Sequence, residues 1–352
     1  MIYSPKSENN RPDINSRNQA IARIDAAISE IESVPGTVGH LRQLAAAYPE
    51  AFFMSAAKYL ESAPESASAR ALADLLARQD TVFDHLLNAR LCSSQTAIAV
   101  FRRLLVSDPT LDFRLARTLP GRNESSGTKT LTGSHAARAL DILDHTSPGQ
   151  RLLSVLGHLP NSADPRISAK GALFVGRRVS NPAWLEKQLV REDARVRANA
   201  IESVWGVKSE TAIRILEECA ADSNNRVAGN ALIGLYMAGC PDVTMRAIGM
   251  SLSDDPGRRS AAAWVMGKIG SPDFVDCLTS LIRDTDPKVR STAVRSLAEI
   301  RRSETKRLEI EAERAKAETK PEIRTLAEPE PAIEPAIQKD SLNIPVPKFE
   351  RL

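Results

Sequence analysis

Four segments in the second half of the chain begin alike and start 31 residues apart, at Asp193, Asn224, Asp255 and Asp286. The register holds through each unit. Ala200, Ala231, Ala262 and Ala293 are equivalent, as are Val204, Leu235, Met266 and Leu297, and then Val207, Ala238, Ile269 and Ile300. A period of this length, kept through four units without a gap, means one supersecondary element repeated in space. A unit of 31 residues cannot bury an apolar face alone, so its copies must stack.

The chemistry of each unit is that of a helix pair. Asp or Asn at the head can cap a helix N-terminus, and Pro256 and Pro287 suit the first turn that follows. Positions 196, 200, 204 and 207 fall on one helical face, so this second helix is expected to pack inward, with a small Ala at its centre for close approach. A preceding helix supplies its own ladder, Leu185, Leu216, Ala247 and Leu278, then Leu189, Ala220, Ser251 and Ile282. A shifted unit starts at Asp164-Pro-Arg-Ile167, and His135 to Leu159 reads as a degenerate one.

The pattern D-P-x-V-R-x-x-A-x-x-x-L, seen from Asp286, resembles the HEAT-like repeats named after phycobilisome lyases. The resemblance covers about residues 160–302, and residues 38–159 only in general character. Ala194, Asn225, Gly257 and Arg258 depart from it. It implies an all-α fold, an α–α superhelix of the armadillo-like solenoid type. It says little of activity, since the family holds lyases, scaffolds and many other proteins.

The rest of the chain divides by composition. Residues 1–13 are polar and read as disordered. Residues 14–134 read as irregular helical solenoid, beginning with Ile21, Ile24, Ile28 and Ile31 on one helical face. Residues 135–302 are the regular repeats, 303–320 a charged helical extension, and 321–352, with six prolines among Glu and Ala, a disordered tail. Aromatic residues make up 4% of the chain, which suits close helix packing better than a sandwich of sheets.

Candidate chemistry is sparse. Gly121 to Lys129 looks loosely like a phosphate loop, but five residues separate Gly121 from Gly127 and no strand precedes it, so it reads as a plain loop. Cys92, Cys219, Cys240 and Cys277 form no C-x-x-C pair. The five histidines form no metal-binding pair of the kind found in di-iron HEAT-repeat hydroxylases. No nucleophile elbow or catalytic Cys–His motif is present, so neither enzyme activity, cofactor nor metal is expected. Net charge is +3, and residues 164–302 carry 21 Lys/Arg against 17 Asp/Glu, too thin a surplus for a dedicated nucleic-acid binder. The N-terminus has no signal-peptide core and no stretch approaches a membrane span, so a cytoplasmic location is expected.

Two rows of side chains stand out. Arg197, Arg259 and Arg290 form a ladder broken at Ala228, expected to pair with Asp193, Asp255 or Asp286. Positions 195, 199, 202 and 206 should face away from the core, toward the concave side, yet the equivalents Ile233, Met237 and Trp264 are apolar, with Trp205 and Tyr236 one residue away. Equivalent slots elsewhere are charged, with Arg195, Glu202, Lys268, Lys288, Arg295 and Glu299. An apolar centre with charged flanks is how protein-binding surfaces are built. The expected function is a non-catalytic scaffold that binds a protein partner there. The family resemblance also implies two alternatives: a phycobilisome-lyase-like chromophore-attachment or chaperone factor, or a HEAT-like DNA-binding or alkylation-repair protein.

Overall fold

The computed structural model describes residues 14–62, 65–121, 130–179 and 181–318. The expectations for residues 1–13, for most of the 120–133 loop and for the tail 321–352 lie outside them. Two units divide the chain, Met1–Arg302 and Ser303–Leu352. Every regular element among the described residues is helical, with no strand.

The first part of the first unit is irregular. Helices α1 (Ile14–Ser29), α2 (Thr37–Ala47), α3 (Pro49–Ser62) and α4 (Ala67–Ala77) are followed by the short α5 (Val82–Leu87), then α6 (Ser94–Ser107), α7 (Leu111–Ala116) and α8 (Gly133–Thr146). The stretch read as a degenerate unit, His135 to Leu159, begins with α8 and is fragmentary after it: α9 (Leu153–Leu156) lies between two single 3-10 turns. The regular array follows. It opens with α10 (Pro165–Val179), then pairs α11 (Pro182–Leu189) with α12 (Ala194–Glu202) and α13 (Glu210–Ala220) with α14 (Asn225–Ala238). Next come α15 (Val243–Ser251) with α16 (Pro256–Ile269), and α17 (Val275–Leu281) with α18 (Pro287–Glu318). Beyond Arg302 the described side chains of α18 are all exposed.

The caps form as the sequence implies. Asp193, Asn224, Asp255 and Asp286 each accept a backbone N–H two residues on, at 2.8, 3.1, 2.9 and 2.8 Å. Each bond satisfies one of the donors that a helix start leaves without an intrahelical partner. The core ladder is buried too: Val196, Val227 and Val289, then all four equivalent alanines, then Leu235, Met266 and Leu297. In the last row Ile300 is buried, Ala238 and Ile269 are half-buried, and Val207 is 37% exposed. Helix α12 ends at Glu202, and Gly206 turns the chain at φ +80°, so Val207 leaves the face that a longer helix would have given it.

Second helices pack directly on one another, and small residues permit it. A Cβ on Gly267 of α16 would lie 2.5 Å from Ser296 Oγ and 2.9 Å from Ser296 Cα on α18. No side chain fits there without separating the helices. The apolar core runs in two stretches, from Ala20 to Val175 and from Leu185 to Ile300 with a small cluster between, and Trp184 packs against each.

A buried ion pair marks the same region. Arg178 of α10 has a side chain 2% exposed and bonds Asp144 Oδ1 of α8 at 2.7 Å. Its guanidinium also donates to the carbonyls of Phe174 at 2.8 Å and Ser147 at 2.7 Å, and lies 3.6 Å over the Phe174 ring. Arg177 holds Asp144 Oδ2 from the other side.

The arginine ladder is structural, with partners other than those expected. Arg197, Arg259 and Arg290 each lay Nη1 across two carbonyls of the turn before their own helix, at 2.8–2.9 Å. Two of them take a carboxylate from 25 residues ahead, in the next unit: Arg259 pairs with Asp284 at 2.7 Å and Arg197 with Asp222 at 3.5 Å. Asp193, Asp255 and Asp286 are engaged as caps. The broken rung is explained in the same way. Ala228 replaces the Arg, and Ser253 stands where its Asp would be.

The side chain of Asp284 is 8% exposed, and Arg259 beside it pulls its carboxyl down from 3.8 to about 2. A depressed folded-state value stabilises the fold fully above the unfolded value and loses that contribution as pH falls through about 2. The stability difference between the protein and its Asp284→Asn variant should therefore be constant above about pH 4 and shrink between pH 4 and 2. Urea unfolding at a series of pH values reads it. A difference that persists unchanged to pH 2 would contradict the pairing.

Candidate functional site

The face formed by the second helices carries a groove of about 530 Å³ across α14, α16 and α18. Its origin is a deficit of side chains. Two residues past the cap, neighbouring units carry Arg195, Arg226 and Lys288, but α16 carries Gly257. Six past the cap, they carry Asn199, Asn230 and Thr292, but α16 carries Ala261. The departure at Gly257 thus opens a depression over α16 between two fuller helices.

Trp264, one turn beyond Ala261, is half-buried and forms part of the lining. Its ring rests near Gly229 of α14, where a Cβ would sit 3.6 Å from Cζ3. Arg226 stands on the α14 side, Lys288 and Arg295 on the α18 side, and Glu202 at the far edge. At the helix starts, Asn225 Nδ2 donates to Asp255 Oδ2 at 3.0 Å. That bond, ahead of the backbone N–H groups of Gly257 and Arg258, holds the Asp255 carboxyl below its ordinary value.

The five expected contact residues do not form one patch. Trp264 lines the groove; the other four do not. Ile233 is only 4% exposed and belongs to the core, contrary to its expected outward position. A residue from one unit back packs into the same cluster. Trp205 sits in the turn after α12 and lays its indole along α14, with Nε1 donating to Asn230 O at 2.8 Å and Cδ1 close to Gly234. It covers the face beside Ile233 and is itself half-buried. Tyr236 and Met237 are exposed, at 41% and 47%, near the C-terminal end of α14.

The row at Asn199 is also inward, not outward as expected. Asn199 and Asn230 are buried and donate to the carbonyls of Ala169 and Ala198 on the preceding second helix, at 2.9 and 2.7 Å. These are polar stitches between units, and each satisfies a buried amide.

Among the described residues no group of three or more His, Cys, Asp or Glu is placed to hold a metal ion. The thiol of Cys219 is pushed up to about 11 by burial, then by Asp222 and Glu218, which is the opposite of an activated nucleophile. No helix among the described residues is long and apolar enough to cross a membrane.

Stacked, capped helix pairs in a fixed register define the class: the chain is an all-α HEAT-repeat solenoid. Residues 246–328 match the family described as HEAT repeats. Among solved structures, human deoxyhypusine hydroxylase in complex with glycerol is similar, at 15% identity and a TM-score of 0.32, covering 82% of this chain and 98% of that one. No curated protein matches the chain.

Proposed function

We propose that this solenoid is a non-catalytic scaffold that holds a protein partner in the groove over α16. One observation carries the reading: Trp264 lies half-buried in the lining of a depression whose rim is charged. An aromatic residue in a recess, ringed by polar groups, is the usual make-up of an interface anchor. Nothing near it provides a nucleophile paired with a base, which a hydrolytic or transfer site would need.

The test is position-specific crosslinking. A photoreactive residue at Ala261 or Lys288, inside the groove, should give covalent adducts with a protein partner in an extract of the native cells. The same residue at Glu218, an exposed position on the first helix α13, should not. Adducts formed only from Glu218, or none from either groove position, would refute the assignment.

A further inference from the structure

The charges around the groove identify what fills it. In the regular repeats a set of basic side chains is matched by acids. Arg195 is held by Asp193, Arg197 by Asp222, Arg214 by Glu186 and Glu218, Arg246 by Glu217 and Arg259 by Asp284. The groove cations are not in this set. Among the described residues Arg226, Lys288 and Arg295 have no carboxylate in ion-pair range. Arg226 reaches only the Asn199 amide oxygen at 3.3 Å, and Arg295 only the Ser291 carbonyl and the Thr292 hydroxyl, at 3.3 and 3.4 Å. Glu202, the one acid in the lining, is already held by Arg177 at 3.3 Å. The groove therefore has a local surplus of positive charge on both banks, with Trp264 between them.

We infer that the occupant is an acidic peptide segment of the partner: one apolar side chain seated on Trp264, with carboxylates before and after it meeting Arg226 on one bank and Lys288 and Arg295 on the other. This rests on the partner-binding reading of the groove. Carboxylates suit these banks because the cations have only neutral acceptors to give up, so a new ion pair displaces no existing one. A nucleic-acid strand suits them less. Its phosphates repeat along a track and need cations that repeat with them. Here three such cations line the groove, and the next in the row, Arg195, is already held by Asp193. On one side the face continues into Glu202 with Arg177, and on the other into Glu299 with Lys268.

A random 12-residue peptide display library, selected on the full chain, tests this directly. Enriched peptides should carry Asp or Glu on both sides of one aliphatic or aromatic residue. Replacing their Glu by Gln should weaken binding about tenfold per carboxylate, and added salt should weaken it further. Arg226→Glu with Lys288→Glu should abolish binding of the acidic peptides and favour Lys-containing ones. Gly257→Arg, whose Cβ would press on Asn225 Nδ2 at 2.7 Å, fills the depression and should block every peptide; circular dichroism and the urea midpoint verify that the variants remain folded. Peptides without acidic bias that Gly257→Arg still blocks would overturn the acidic inference and leave the groove as a partner site. Peptides indifferent to Gly257→Arg, or none at all, would overturn both. A poly-thymidine oligonucleotide that binds in the groove more tightly than any selected peptide would also overturn both.

Discussion

Replacing Asp144 by alanine is expected to cost the first unit about 3–5 kcal/mol of stability, the range seen when one partner of a buried ion pair is removed. The Arg178 guanidinium is 2% exposed and would keep three carbonyl acceptors but lose its counter-charge. Water cannot reach it to compensate. Arg177, which shares Asp144, would retain Glu202, so the loss centres on Arg178. The double variant Asp144→Leu with Arg178→Met should recover most of the stability, because a well-packed apolar pair of similar size often replaces a buried ion pair without loss. Denaturant unfolding of the three proteins gives the answer. A single variant that unfolds like the parent would mean the pair contributes nothing, and a double variant as weak as the single would mean that packing, not charge, holds the region.

Trp264→Ala should act on binding and only modestly on folding. Truncating an aromatic anchor at an interface centre typically costs about 2–4 kcal/mol, roughly 30- to 1000-fold in affinity. A fully buried Trp would instead cost about 3–5 kcal/mol of stability. Trp264 is half-buried, with part of its surface in the groove, so its folding cost should fall below that range. Affinity for a crosslinked partner and the urea midpoint, measured on one preparation, separate the roles. A large drop in stability with unchanged affinity would make Trp264 a core residue and remove the anchor from the groove.

Much of the regular array was legible because its determinants are local and repeated. A cap at Asp255 is set by the next three residues, and the burial of Val289, Ala293 and Leu297 follows from spacing on one helix. Features that depend on another unit were not legible from position alone. Ile233 sits in a nominally outward slot, but it is buried in a cluster that Trp205 joins from the turn of the unit before. Trp205 could take that place because α12 stops early, and nothing in the 31-residue register foretells a shortened helix. The groove escaped notice for a related reason: its making is an absence. Gly257 looks like a departure from the pattern until Arg226 and Lys288 are seen on either side of it. Comparing the units column by column at that position would have exposed the gap. The irregular part was legible only as helices and breaks, since α5 and α7 have six residues each and no period to confirm them.

The broken rung at Ala228 has a mechanical consequence. Between α12 and α14, and again between α16 and α18, a guanidinium grips two carbonyls of one unit and a carboxylate of the next, like a rivet through two plates. Between α14 and α16 no such rivet exists, and the polar tie at the helix starts is one amide bond from Asn225 to Asp255. The joint beneath the groove thus lacks the cross-unit ion pair that both of its neighbours have, and whatever lies between the banks meets two units joined by apolar packing and that single amide bond.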